Sequence, residues 1–435
     1  MEINIVLLAV LCLAGVLLLM MIGIPLPFSL GACAIIACYI AWGSSGLNKL
    51  EMIVYSQFFN LQWTPLILFV FLACIIEQTR IGTDLFTAAS KWLSRLPGGL
   101  LIASIGAEAG MAACIGSSST TALAVGQVAI PEMTKLGYDR TVSIGAILSG
   151  GVLGPLIPPS VPMIVYALMS RQSIGELFVA GVVPGILIAG MLCITAVVLA
   201  KLRPSIAPRP PSATWRARFA SLKLVWPVIV VIGSILGGVY FGIMTANEAA
   251  GVACVVILII AVAFYNFRWK NLMQAALNTT VLAGMICLMV IAAYMLTYVV
   301  ATSGMAQTFT DALLESGLSR WNIVIMINLL LLFLGCFIDG LTIILLMVPF
   351  FVTLISGMGF SLVWFGVLMV VNNEIGLITP PMGINLFIVR AAFDVPIGAL
   401  LKAVLPFLIA LLLGLAILTA FPAISTWLPG LIRGG

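Results

Sequence analysis

Apolar stretches long enough to cross a bilayer, about 20 residues each, follow one another along this chain from its first residues to its last. Water cannot be the main solvent of such a polypeptide. Only 8% of its 435 residues are charged and 63% are hydrophobic, whereas a soluble domain carries about 25% charged residues. Residues 1–435 are therefore expected to form a single membrane domain, an all-α polytopic fold whose backbone polar groups are satisfied within helices.

Marking the apolar stretches between polar punctuation predicts about ten crossings, near 4–22, 26–42, 64–78, 141–169, 177–200, 224–243, 247–267, 279–300, 361–392 and 398–420. Two further regions, near 99–134 and 321–357, are apolar but interrupted midway by Gly, Ser or Asp. They are expected as re-entrant helical hairpins that enter and leave on one side, because broken helices are tolerated only where they line a polar cavity. The opening segment from Ile3 to Met21 lacks the basic start and small-residue cleavage site of a signal peptide, so it is expected to stay as a membrane helix.

The charges give the orientation. Lys201, Arg203, Arg209, Arg216, Arg218 and Lys223 occur with no acidic residue between them, and Pro204, Pro208, Pro210 and Pro211 keep the segment extended. Such a linker belongs on the cytoplasmic side. Counting crossings outward places Arg80, Lys91, Arg95, Lys135, Arg140, Arg268 and Lys270 there as well, and both termini outside, which Glu2 permits and Arg433 mildly opposes. The stretch from Asp84 to Leu96 sets Leu85, Phe86, Trp92, Leu93 and Leu96 on one side of a helix expected to lie in the membrane interface.

Several functions are excluded. The chain has no His, which removes His metal sites, Ser-His catalysis and His proton relays. It also lacks the nucleotide-binding P-loop pattern, so direct ATP hydrolysis is not expected. The nine Cys lie in apolar stretches without a C-x-x-C pair and read as buried thiols. An enzyme and a nucleic-acid partner are not expected; the lipid bilayer is.

A repeat is hidden in the two halves. GPLIPPS at Gly154 to Ser160 and GLITPPM at Gly376 to Met382 carry Pro pairs 158/159 and 380/381, offset by 380 − 158 = 222 positions. Each Pro pair must break its helix. The same offset carries the interruption of the first hairpin, Gly116 to Thr120, onto that of the second, Ile338 to Thr342. An odd number of crossings between the hairpins inverts the second unit, and inverted repeats with paired broken helices mark membrane transporters.

At each break the backbone loses helical partners, and a small hard cation can replace them. The side chains around the breaks are mainly oxygen donors: Ser117, Ser118, Ser119, Thr120, Ser149 and Ser160 in the first half, Asp339, Thr342, Asn372, Asn373, Thr379 and Asn385 in the second. Hydroxyl, amide and carbonyl oxygens with few carboxylates suit Na⁺, expected near Ser118, Thr120, Asp339, Thr342 and Thr379. Half-helix N-termini in the same cavity would favour an anionic substrate group. Each lone Ser or Thr has the alternative of bonding back to its own helix. Or it can serve as a small residue for close helix packing, but the five consecutive hydroxyl residues from Ser117 to Thr121 point all round a helix and cannot all be packing residues. Intramembrane carboxylates are costly unless paired or wetted, which singles out Glu108, Glu248, Asp339 and Glu374. Asp339 and Glu374 adjoin breaks, Glu248 stands where it can cap a helix, and Arg390 can either pair with a substrate carboxylate or snorkel to the interface.

The runs GSSSTTALAVGQVAIPEMTKLGYDRTVSIGAILSGGVLGPLIPPSVPMIVYALMS and SIGELFVAGVVPG, with ANEAAGV around Glu248 and FGVLMVVNNEIGLITPPMGINLF near the end, resemble the large membrane subunit of tripartite ATP-independent periplasmic (TRAP) transporters. The resemblance covers essentially the whole chain in the same order. It implies an elevator-type secondary transporter of a bacterial inner membrane, working with a small membrane subunit and a soluble periplasmic substrate-binding protein. Uptake would be driven by Na⁺, with no other cofactor, and the substrate would be a small organic anion such as a C4-dicarboxylate, another carboxylate or a sialic acid. It places the cation and substrate region on Gly116 to Thr120, Gly154 to Ser160 with Pro158 and Pro159, Asp339, Gly340 and Thr342, and Gly376 to Asn385 with Thr379, Pro380, Pro381 and Gly383. On this reading residues 1–98 are scaffold helices with the interfacial helix, 99–200 the first transport repeat, 201–223 the linker, 224–320 central scaffold helices and 321–427 the second repeat. One departure stands out: the family commonly has Gly-Glu in the third helix, where this chain has Ala73-Cys74 with Glu77 three residues on, so the role of Glu77 is open. A stand-alone proton- or sodium-coupled carboxylate carrier of related fold is the alternative.

Overall fold

Short polar side chains set just ahead of apolar runs start many of the helices. Asp139, Ser160, Ser173, Thr214, Thr245, Ser319, Asp339 and Ser361 each accept a hydrogen bond from the backbone N–H three residues on, satisfying donors that the first helical turn leaves open. The computed structural model describes residues 5–209 and 213–433. Glu2, Ile3, Pro210 and Pro211 lie outside the described residues, among which there are helices and no strand.

Among the described residues seven helices are long and apolar enough to cross a membrane: Leu26–Phe58, Arg140–Ser170, Ile174–Leu202, Ala246–Phe264, Trp269–Thr302, Gly340–Gly357 and Ile397–Ala420. Two bent pairs raise the number to 9 if each is one span, Leu61–Glu77 with Ile81–Leu93 at 68° and Trp215–Leu222 with Trp226–Tyr240 at 40°. Shorter apolar helices supply the other expected segments. The stretch expected to end near residue 42 runs on to Phe58, because Gly43 absorbs a kink at φ 60° and ψ −144° that a side chain would resist.

The repeat is visible in the backbone. The second arms of the two hairpins, Ser118–Lys135 and Gly340–Gly357, both contain 18 residues, and both ends keep the sequence offset (357 − 135 = 222). They pack on first arms Gly99–Ile115 and Arg320–Gly335. The broken helices follow, Arg140–Gly150 and Leu153–Leu156 leading to Val161–Ser170, and Leu362–Gly376 leading to Ile384–Phe393. Pro158-Pro159 and Pro380-Pro381 are both cis.

The two units interlock. Arg140 Nη2 donates to Phe393 O at 2.5 Å, tying the start of the first broken helix to the end of the second. Tyr166 OH donates to Leu362 O at 2.7 Å, tying the end of the first to the start of the second. A buried chain runs from Asn372 Nδ2 to Asn328 Oδ1 at 2.8 Å and from Asn328 Nδ2 to Thr419 Oγ1 at 2.9 Å. Around this block Leu26–Phe58 packs along Trp269–Thr302, and Thr64–Glu77 packs on that helix and on Ala246–Phe264. Of the nine unpaired Cys, Cys193 and Cys287 are half-buried rather than buried.

Candidate functional site

Four helices begin at one cavity of about 370 Å³. Its wall takes Ser118, Ser119 and Thr120 from the first turn of one hairpin arm, Gly340 and Leu341 from the other, and Val161 with Pro162 and Ile384 with Asn385 from the second halves of the two broken helices. The N-terminal end of each carries a partial positive charge and unsatisfied N–H groups, so the four breaks direct their positive ends toward the same space. Gly116, Ser117, Asp339 and Glu374 complete the polar part. Opposite them stand Val70, Ala73, Cys74 and Glu77 from Thr64–Glu77, and Leu282 and Ile286 from Trp269–Thr302.

Glycines let the breaks meet at backbone distance. A Cβ on Gly154 would lie 2.8 Å from the Ser117 carbonyl, and one on Gly376 would lie 2.6 Å from the Cα of Gly335. In each half, then, the hairpin is pressed against its own broken helix at a position that only glycine allows. Gly116 takes φ 67° to turn the first hairpin, its Cα facing the Pro159 carbonyl and Ser160.

Polar contacts then fasten the breaks, one of them across the two halves. Asn385 Nδ2 donates to Ser118 Oγ at 2.9 Å, and Asn373 Nδ2 donates to Gly340 O at 3.1 Å. The Asp339 carboxylate accepts from Thr342 N at 3.1 Å and from the Thr342 hydroxyl. Ser117 and Thr120 hydroxyls lie 3.3 Å apart. Glu374 is buried facing both Ser118 and Asp339, yet its Oε2 has no hydrogen-bond partner, and neither has Asn373 Oδ1. Buried oxygens are normally satisfied. Glu374 and Asn373 both flank Gly340, so their open oxygens lie next to the second hairpin tip; oxygens are the ligands that hard cations take, although no group of three or more His, Cys, Asp and Glu that could hold a metal ion occurs among the described residues.

Other expected residues stand apart from the cavity wall. Ser160 caps Val161–Ser170, Ser149 bonds back to Gly145 O, and Thr379 bonds back to Ile375 O at 2.6 Å. Pro380 and Pro381 are exposed, Pro158 and Pro159 shape the turn behind Gly116, and Gly383 at φ 48° donates its N–H to Cys336 O. Asn372 belongs to the Asn328 and Thr419 chain. Glu248 forms a capping box with Thr245, as its position suggested. Arg390 is exposed near the end of its helix and off the cavity wall. Glu108 is fully buried against Gly150 with both oxygens unpartnered. The apolar wall of Val70, Leu282 and Ile286 carried no sequence signal, since such residues are indistinguishable from lipid-facing ones.

Residues 13–424 match the family described as tripartite ATP-independent periplasmic transporter, DctM component. The chain is 37% identical over 351 residues to the C4-dicarboxylate TRAP transporter large permease protein DctM of Pseudomonas aeruginosa, covering 80% of this chain and 82% of that protein. It is 32% identical over 420 residues to the sialic acid TRAP transporter large permease protein SiaM of Vibrio cholerae, covering 96% and 97%. Its fold is similar to the crystal structure of the Alcanivorax borkumensis YdaH transporter, with a TM-score of 0.62, 14% identity, and coverage of 87% of this chain and 89% of that one.

Proposed function

Since this chain belongs to the DctM, or large permease, family of tripartite ATP-independent periplasmic transporters, we propose that it carries out sodium-coupled uptake of a small organic anion across a bacterial inner membrane. The observation that carries this reading is the convergence of four helix N-termini on one cavity. Their aligned dipoles and free N–H groups stabilise a carboxylate without a basic side chain, and the described lining residues include no Lys or Arg. The two relatives' named substrates, C4-dicarboxylate and sialic acid, are of this class.

Anion binding beside Asp339, Glu374 and Glu77 requires compensation. Na⁺ supplies it, held by Asp339, the open Glu374 and Asn373 oxygens, and the hydroxyls of Ser118 and Thr120. Substrate and cation then neutralise one another, and neither fills the site well alone. That mutual dependence is the thermodynamic basis of coupling.

The polar wall comes from the hairpins and broken helices, whereas the facing wall comes from Thr64–Glu77 and Trp269–Thr302. In the proposed cycle the polar block slides with its cargo past the largely apolar wall, an elevator movement that brings the cavity to each side in turn. A small membrane subunit steadies the surrounding helices, and a periplasmic binding protein delivers the substrate. Thermal unfolding of the purified permease with its small subunit tests the ion site: Na⁺ should raise the midpoint where K⁺ and choline do not, and Glu374→Gln should weaken the response. Equal midpoints in all three salts would remove the ion site from the account.

A further inference from the structure

The linker that orients the chain also carries a buried charge. Arg218, on the helix Trp215–Leu222, is only 5% exposed, and among the described residues its Nε and Nη2 have no hydrogen-bond partner. Its guanidinium carbon lies 5.0 Å from the centroid of the Trp215 ring. Arg95, which follows the helix Ile81–Leu93, reaches the same ring at 5.7 Å. Two cations thus converge on one indole. Residues 201–223 contain no acidic side chain, and Asp84, the acidic residue of the neighbouring helix, accepts a hydrogen bond from Tyr265 OH at 2.9 Å. Cation–π attraction offsets part of the cost of holding them together but supplies no acceptor for the guanidinium N–H groups. A buried cation without a counter-ion is unfavourable, and no acceptor among the described residues meets Arg218 Nε or Nη2, so the site has room for an anion from outside the chain.

We propose that Arg218 and Arg95, meeting at Trp215, bind the phosphate of an anionic phospholipid in the cytoplasmic leaflet. A phosphodiester presents oxygens that match a guanidinium fork. The neighbouring surface suits the rest of such a molecule: Trp215, Phe219 and Leu222 are 56%, 60% and 47% exposed and apolar, and indole rings favour the headgroup level of a bilayer. Arg216 and Lys223, on and just after the same helix, are exposed as well, and basic side chains at this level draw anionic lipid. Free phosphate would satisfy the two arginines and gain nothing from the aromatic surface.

The position connects this site to the proposed moving block. Trp92 Nε1 donates to Arg218 O at 3.1 Å, and the Trp92 and Phe219 rings meet edge-on at 5.7 Å. The helix Ile81–Leu93 in turn packs on both arms of the first hairpin. A lipid held at Trp215 braces the surface helices against which the hairpin is seated.

The test is unfolding of the detergent-solubilised permease and small-subunit complex, titrated with phosphatidylglycerol, phosphatidylcholine or inorganic phosphate. Phosphatidylglycerol alone should raise the midpoint, and Arg218→Gln should raise its half-maximal concentration at least tenfold. Arg95→Gln, at an exposed side chain that does not threaten folding, should shift it in the same direction, and Arg218→Lys should shift it less than Arg218→Gln. A wild-type response from Arg218→Gln and Arg95→Gln would overturn the proposal. So would equal stabilisation by inorganic phosphate. Loss of small-subunit association in Arg218→Gln with an unchanged lipid response would assign the missing anion to an acidic residue of the partner.

Discussion

Asn385 Nδ2 donates to Ser118 Oγ at 2.9 Å, so the second broken helix is fastened to the tip of the first hairpin. The bond joins the two halves of the repeat at the cavity, where both residues form part of the wall. It forms only while the two breaks lie side by side.

Ser118→Ala removes the acceptor and leaves a buried amide N–H unpartnered, a loss of about 1–3 kcal/mol. If roughly 1.4 kcal/mol of this falls on the ion-bound state, the Na⁺ concentration for half-maximal uptake rises about tenfold. Ser118→Thr, which keeps the oxygen, should stay near wild type. Uptake measured against Na⁺ concentration decides; an unchanged Na⁺ dependence in Ser118→Ala would remove this hydroxyl from the ion site.

Asp339 has two separable roles. It caps Gly340–Gly357 through Thr342 N, and its charge faces the cavity beside Glu374. Asparagine caps a helix as well as aspartate does, so Asp339→Asn should keep the unfolding midpoint and raise the Na⁺ requirement. Asp339→Ala should do both kinds of damage, with about 1 kcal/mol of stability lost with the cap. Comparison of the two variants by unfolding and by Na⁺ titration separates charge from cap.

Gly376→Ala places a methyl group 2.6 Å from the Gly335 Cα, backbone against backbone. Overpacking of this kind costs about 1–3 kcal/mol, and here it pushes the second hairpin off its broken helix. Both the unfolding midpoint and uptake should fall. Gly106→Ala, where nothing lies within 4 Å of the added carbon, is the control and should behave as wild type.

Val70 and Ile388 line the cavity from the fixed wall and from the block proposed to move. In a cysteine-free background, Val70→Cys with Ile388→Cys, joined by a short bifunctional thiol reagent, should stop uptake until the link is reduced. Each single variant treated alike should keep transporting. Full uptake by the cross-linked pair would argue against sliding of one wall past the other.

The sequence carried much of this architecture because prolines and glycines mark a broken helix directly. The Pro158/Pro159 and Pro380/Pro381 pairs, with the Ser117 and Asp339 interruptions, revealed a repeat whose hairpin arms keep the same offset in the structure. Polar residues at the tips were legible because hydroxyls and carboxylates are costly in apolar spans. Other features had no such mark. Val70 and Ile286 form the cavity wall, but their hydrophobicity equally suits contact with lipid. Asn328 lies in an apolar run, and its bonds to Asn372 and Thr419 depend on helix rotation that spacing does not specify. Thr379 looked like a ligand by proximity to the Pro pair, but its hydroxyl returns to Ile375 O. Arg218 marked only the orientation of a basic linker in the sequence, whereas in the fold it is buried.

Sodium coupling and delivery by a binding protein are both read out by uptake of labelled organic acids into proteoliposomes containing this chain and a small subunit, with and without a Na⁺ gradient and a periplasmic binding protein. Accumulation is expected only when the gradient and the binding protein are both present. Accumulation that needs neither and follows a proton gradient would contradict that expectation, leaving the fold but replacing the function with that of a stand-alone carrier.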